Sequence, residues 1–107
     1  MDSFQVRDLA AQLDTSGELW SEFLRVPAMS AGLYRLKAGQ EDPQTPHHQD
    51  EVYYVISGRA VLRVGDRDVP AVPGAVLFVE AEAEHRFERI GEDLTLLVIF
   101  APAETED

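Results

Sequence analysis

From residue 31 onward the apolar residues come in short runs cut by Gly, Pro and Asp. Leu33, Tyr34 and Leu36 precede Ala38-Gly39, and Glu51 to Ile56, rich in Val, Ile and Tyr, ends at Ser57-Gly58. Ala60 to Val64 runs into Gly65-Asp66, Val69 to Val72 meets Pro73-Gly74, and Ala75 to Val79 follows. His85 to Ile90 and Leu94 to Phe100 complete the series, separated by Gly91-Glu92-Asp93. About seven short strands with this punctuation predict an all-β, antiparallel sandwich or barrel.

The first thirty residues read differently. Phe4, Val6, Leu9, Ala10 and Leu13 recur at mixed spacing until Asp14-Thr15-Ser16-Gly17 breaks them. Glu18 to Leu24 then reads as a short helix, begun by Thr15 or Ser16 and stopped before Pro27, whose preceding residue disfavours the helical region. Residues 1–30 are therefore expected to form a helical or irregular appendage whose Trp20, Phe23 and Leu24 pack on the main body. Residues 102–107 read as a frayed acidic tail.

A chain of 107 residues fits one domain and buries roughly 65% of its unfolded surface, so neither disulfide nor metal is needed to hold it together. Any metal would then be functional. Without a cysteine, thiolate sites, cysteine nucleophiles and iron–sulfur clusters are excluded. A net charge of -11 repels phosphate backbones and anionic lipid, which argues against nucleic-acid or membrane partners. The longest apolar run, Leu96 to Ala101, is six residues, against the roughly 20 that cross a bilayer. Met1 to Asp8 lacks the basic and apolar stretches of a signal peptide, so a cytoplasmic location is expected.

The candidate chemistry lies with the histidines. Alternation along an extended segment puts residues 45, 47, 49, 51 and 53 on one side, and Gln44 and His48 on the other unless Pro46 breaks the phase. His47 and Glu51 then face together, roughly 13 Å apart on a straight strand, with Tyr53 in the same inward phase to line a pocket. His85 joins them only if the sheet folds it across. Two imidazoles and a carboxylate with open positions suit Fe(II), and Zn, Mn, Ni or Co as well. The alternative is two surface histidines beside a strand-end glutamate, or an emptied pocket. Serine-elbow, Walker and Rossmann patterns are absent from the sequence.

These spacings resemble the cupins. Gly39, Thr45, His47, Glu51 and Gly58 fall on the offsets of the first cupin motif, Gly…His-x-His…Glu…Gly. Gly74, Glu80, Glu82, His85 and Arg89 fall on those of the second, Gly…Pro-x-Gly…His…Asn. Thr45 stands where that family has its first ligand histidine, and Glu80, Glu82 and Arg89 replace Pro, Gly and Asn. The resemblance covers about residues 31–101 and implies a double-stranded β-helix, a jelly-roll barrel of two antiparallel sheets. It further implies a divalent metal ion, Fe, Zn, Mn or Ni, held by His47, Glu51 and His85 near one mouth. The implied function is a metal-dependent enzyme of oxygenase, isomerase or lyase type acting on a small oxygen-bearing molecule. A non-catalytic module that binds or senses a small molecule over a degenerate metal site is the alternative. A homodimer is implied by analogy, because small cupins expose sheet edges and pair.

Overall fold

A computed structural model describes residues 1–105. Glu106 and Asp107, the end of the acidic tail, lie outside the described residues. The N-terminal helix, α1, spans Val6–Ser16, earlier than the predicted helix. Its Leu9 and Leu13, one turn apart, are buried with Leu33 and flanked by Ala10, Phe23 and Ile56. The helix closes where the Gly17 N–H bonds Leu13 O at 2.9 Å.

The predicted helix over Glu18 to Leu24 is instead a strand, β1 (Trp20–Val26), paired antiparallel with β2 (Met29–Leu36). The helix-like spacing of Trp20, Phe23 and Leu24 has a local cause. A register shift between Glu22 and Leu24 inserts an extra residue and breaks the period-two alternation. Trp20 therefore packs on the main core, while Phe23 packs on the helix cluster. Trp20 lies over Gly32, where any Cβ would collide with its ring.

The remaining strands are β3 (Asp50–Val64), β4 (Arg67–Ala71), β5 (Val76–Val79) and β6 (His85–Ala101). Two pairs of predicted short strands have fused into the long β3 and β6. Neighbours run β1-β2-β6-β3-β4, and β5 also pairs with β3. The β3–β6 ladder extends from Asp50↔Ala101 to Val64↔His85, with register shifts on either side of Ser57 and Arg59. Gly58 sits in that irregular stretch at φ 95, where a Cβ would strike the Asp93 carbonyl, so β3 can bend there only with glycine.

The bend decides what the molecule can do. Glu51 and His85 lie near opposite ends of this ladder, separated by roughly 40 Å of extended strand. They meet only because the sheet curls into a double-stranded β-helix. Its interior is filled by alternate residues, Tyr53 and Val55 of β3 and Leu94, Leu96, Val98 and Phe100 of β6, all at most 2% exposed. Glu51 occupies the same inward phase at 2% exposure, a carboxylate in an apolar lining.

Candidate metal centre

His85, first residue of β6, is held before it meets any ligand. Its Nδ1 lies 2.7 Å from Ala83 O, an acceptor, so Nδ1 carries the proton and Nε2 turns its lone pair inward. The preceding turn is pinned to the loop carrying His47: Glu82 N–H donates to His47 O at 2.7 Å, and Ala81 N–H donates to Asp50 Oδ1 at 2.9 Å. Glu82, at φ 69, has the left-handed backbone that glycine supplies in the motif it departs from.

Glu51 Oε1 is buried 3.0 Å from His85 Nε2, and with the histidine proton on Nδ1 it receives no hydrogen bond from that ring. A neutral His85 would thus oppose a lone pair to a carboxylate, an arrangement that a cation between them relieves. In the metal-free protein a proton serves. Burial pushes the His85 pKa down, but the hydrogen bonds to Glu51 and Ala83 and the charges of Glu51 and Asp42 outweigh it and leave the group above its usual 6.5.

The loop before β3 supplies the rest. His47 is half-buried, and its Nδ1 lies 3.2 Å from the Glu104 carboxylate, which leaves Nε2 directed inward. Among the described residues, one ligand atom each from His47, Glu51 and His85 lies within 4.8 Å of the others. The roughly 13 Å of a straight strand does not apply, because residues 41–49 are not strand at all. Gln44, expected on the far face unless Pro46 broke the phase, is accordingly turned into the site. Its Nε2 donates to Asp42 Oδ2 at 2.5 Å, and its Oε1 accepts from Tyr53 Oη at 2.9 Å, 3.4 Å from His47 Nε2. Asp42 can only accept, so it fixes which end of the amide points into the site.

Asp42 is a hub. Its buried carboxylate also accepts the Tyr34 hydroxyl at 2.6 Å and the Phe87 N–H at 2.9 Å. Tyr53 is fully buried, with Oη 3.0 Å from His85 Nε2. Burial, then the Glu51 charge, pushes its pKa well above the ordinary 10, so it remains a neutral phenol. Thr45 is exposed, and His48 is exposed with Nδ1 2.7 Å from the Glu82 carboxylate.

Glu104, read from sequence as part of a frayed tail, is tied down. Its N–H donates to Ser30 Oγ at 2.9 Å, and its main-chain oxygen accepts from Arg25 at 2.7 Å. Nothing local to Glu104 announces this role; the fold brings it to His47. Gln44, His47, Glu51, Tyr53 and Glu104 border a cavity of about 290 Å3 whose other walls include Leu19, Trp20, Pro43, Val98 and Phe100.

With this geometry in place, comparison with known proteins is informative. A family model for the cupin domain matches residues 32–100. An uncharacterised protein of Streptomyces coelicolor is 44% identical over 105 residues, covering 98% of this chain and 100% of that protein. A crystal structure from Thermus thermophilus superposes with a TM-score of 0.74 at 26% identity, covering 96% of this chain and 99% of that one. A cupin described as RmlC-like, from Desulfovibrio desulfuricans, gives 0.69 at 28% identity over 78% of this chain and 81% of its own.

Proposed function

The chain belongs to the cupin domain family, and we propose that it is a divalent-metal-dependent enzyme acting on a small oxygen-bearing molecule in the barrel mouth. One observation carries this reading: a ring nitrogen from each of two histidines and a buried carboxylate oxygen lie within 4.8 Å of one another. His47, Glu51 and His85 would hold the ion, and the Gln44 amide oxygen is the neutral donor that stands in for the histidine missing at Thr45. Nitrogen and oxygen donors without thiolate suit Fe(II), Mn, Ni or Zn.

When bound, the ion supplies Lewis acidity toward a carbonyl or enol oxygen, or a dioxygen site if it is iron. The chain supplies the rest. Tyr53, kept as a phenol, holds a proton at Oη beside the substrate space, and Glu104 and Ala83 O keep the histidine rings turned inward. Apolar walls exclude water from the reacting face. Oxygenase, isomerase and lyase chemistry all fit these parts. A non-catalytic sensing module is the second reading, favoured by the loss of the Thr45 ligand position beside a well-formed cavity.

The apolar residues Tyr54, Val76 and Phe78 share one exposed face on β3 and β5. For a chain this acidic, we take that face as the seat of a homodimer.

Elemental analysis of protein purified without added metal tests the metal site. About one equivalent of a transition metal is expected, dropping severalfold in His47→Ala and His85→Ala. Less than about one-tenth equivalent in all three would overturn the reading.

A further inference from the structure

The cavity beside these side chains has a charge asymmetry of its own. Its volume of about 290 Å3 exceeds the ~150 Å3 void that accommodates benzene, leaving room for a ring carrying an oxygen function. Leu19, Trp20, Pro43, Val98 and Phe100 make its walls apolar. The ionisable acids that reach it are Glu51 and Glu104, and no lysine or arginine is among its lining residues. A third carboxylate, Asp42, stands behind Tyr34 and Gln44.

We propose that this cavity selects small, uncharged, largely apolar molecules bearing an oxygen donor, and rejects carboxylates. The proposal names the substrate class of the site described above and rests on its being a ligand site, but the selection is made by the chain's own residues. A ligand carboxylate entering here would lie against fixed carboxylates with no lysine or arginine to receive it. At a separation of about 6 Å and an effective dielectric near 20, one such repulsion disfavours binding roughly a hundredfold before screening by salt. A cationic ligand would be drawn by the same acids, but Glu104 already lies 3.2 Å from His47 Nδ1 and Glu51 3.0 Å from His85 Nε2, so it would have to break contacts these carboxylates make. An uncharged ligand gains the apolar walls without either conflict.

Benzamide, benzoate and benzamidine provide the test, since they share one planar shape and differ in charge. The chain's sole tryptophan, Trp20, forms part of the cavity wall, so its emission reports occupancy. Titrations use the full chain after removal of metal, at about pH 8, above the ordinary histidine range. Saturable benzamide binding is expected, with benzoate at least about tenfold weaker and benzamidine weaker than benzamide. In Glu104→Gln the affinity for benzoate relative to benzamide should rise several-fold.

Benzoate binding as tightly as benzamide overturns the proposal, as does benzamidine binding tightest, or the absence of saturable benzamide binding. Because none of these titrations needs an ion, a protein that shows the predicted preference yet never takes up metal would refute the metal reading alone.

Discussion

At the scale of single residues, the site turns on a shift of one position. The motif places a ligand at residue 45, but Thr45 faces solvent while Gln44 is turned inward and locked by Asp42. Thr45→His is therefore expected to leave metal affinity unchanged, whereas Gln44→Ala should weaken it about tenfold, measured by competition with a chromogenic chelator. A gain in affinity from Thr45→His would contradict the assignment of the inward face. His85 sets the pH behaviour. Its folded pKa is raised, so its contribution to the metal-free protein is fully present below the unfolded value near 6.5 and is lost as pH rises through the folded value. The melting-temperature difference between the wild type and His85→Gln should shrink from about pH 6 to pH 8 without metal. With metal it should grow, because unprotonated imidazole is the ligand. Glu51 and Tyr53 were legible in the sequence through strand alternation, and His47 and His85 through the spacing of the motifs they resemble. Gln44 was legible only as a substitute, alongside His48, should Pro46 break the phase, because alternation applies to strands and this loop is irregular. Glu104 was not, because no local pattern links a C-terminal acid to a histidine loop.

Among the elements, the long strands determine whether a site exists at all. Short strands after residue 31 were readable from their turn residues, but Ser57-Gly58 and Gly91-Glu92-Asp93 are bends within β3 and β6, not ends of strands. Composition cannot separate the two, since glycine relaxes the backbone in either case. Gly58→Ala should cost roughly 2–4 kcal/mol in chemical denaturation, from left-handed strain together with the clash against the Asp93 carbonyl. A cost below about 0.5 kcal/mol would mean that β3 bends by some other means. The misread strand β1 shows the converse. Pairing with β2 and packing of Trp20 over Gly32 overrode a spacing that favoured helix on its own.

For the whole molecule, barrel closure brings His85 to Glu51 from the far end of the β3–β6 ladder, with His47 supplied by the loop before β3, and an apolar face is exposed on β3 and β5. β5 is bonded to β3 among the described residues, and its Val76 and Phe78 are 67% and 65% exposed. Phe78→Asp should convert a dimer to a monomer in sedimentation velocity without altering metal content; a wild-type monomer would remove the need for that interface. The central claim is that the mouth of the barrel is a cation site made by His47, Glu51 and His85. Crystals soaked in Zn or Ni, examined by anomalous scattering, test it most directly. One dominant peak is expected within about 2.0–2.3 Å of both Nε2 atoms and a Glu51 oxygen. Peaks confined to the acidic surface, with the three side chains undisturbed and nothing between them, would contradict it.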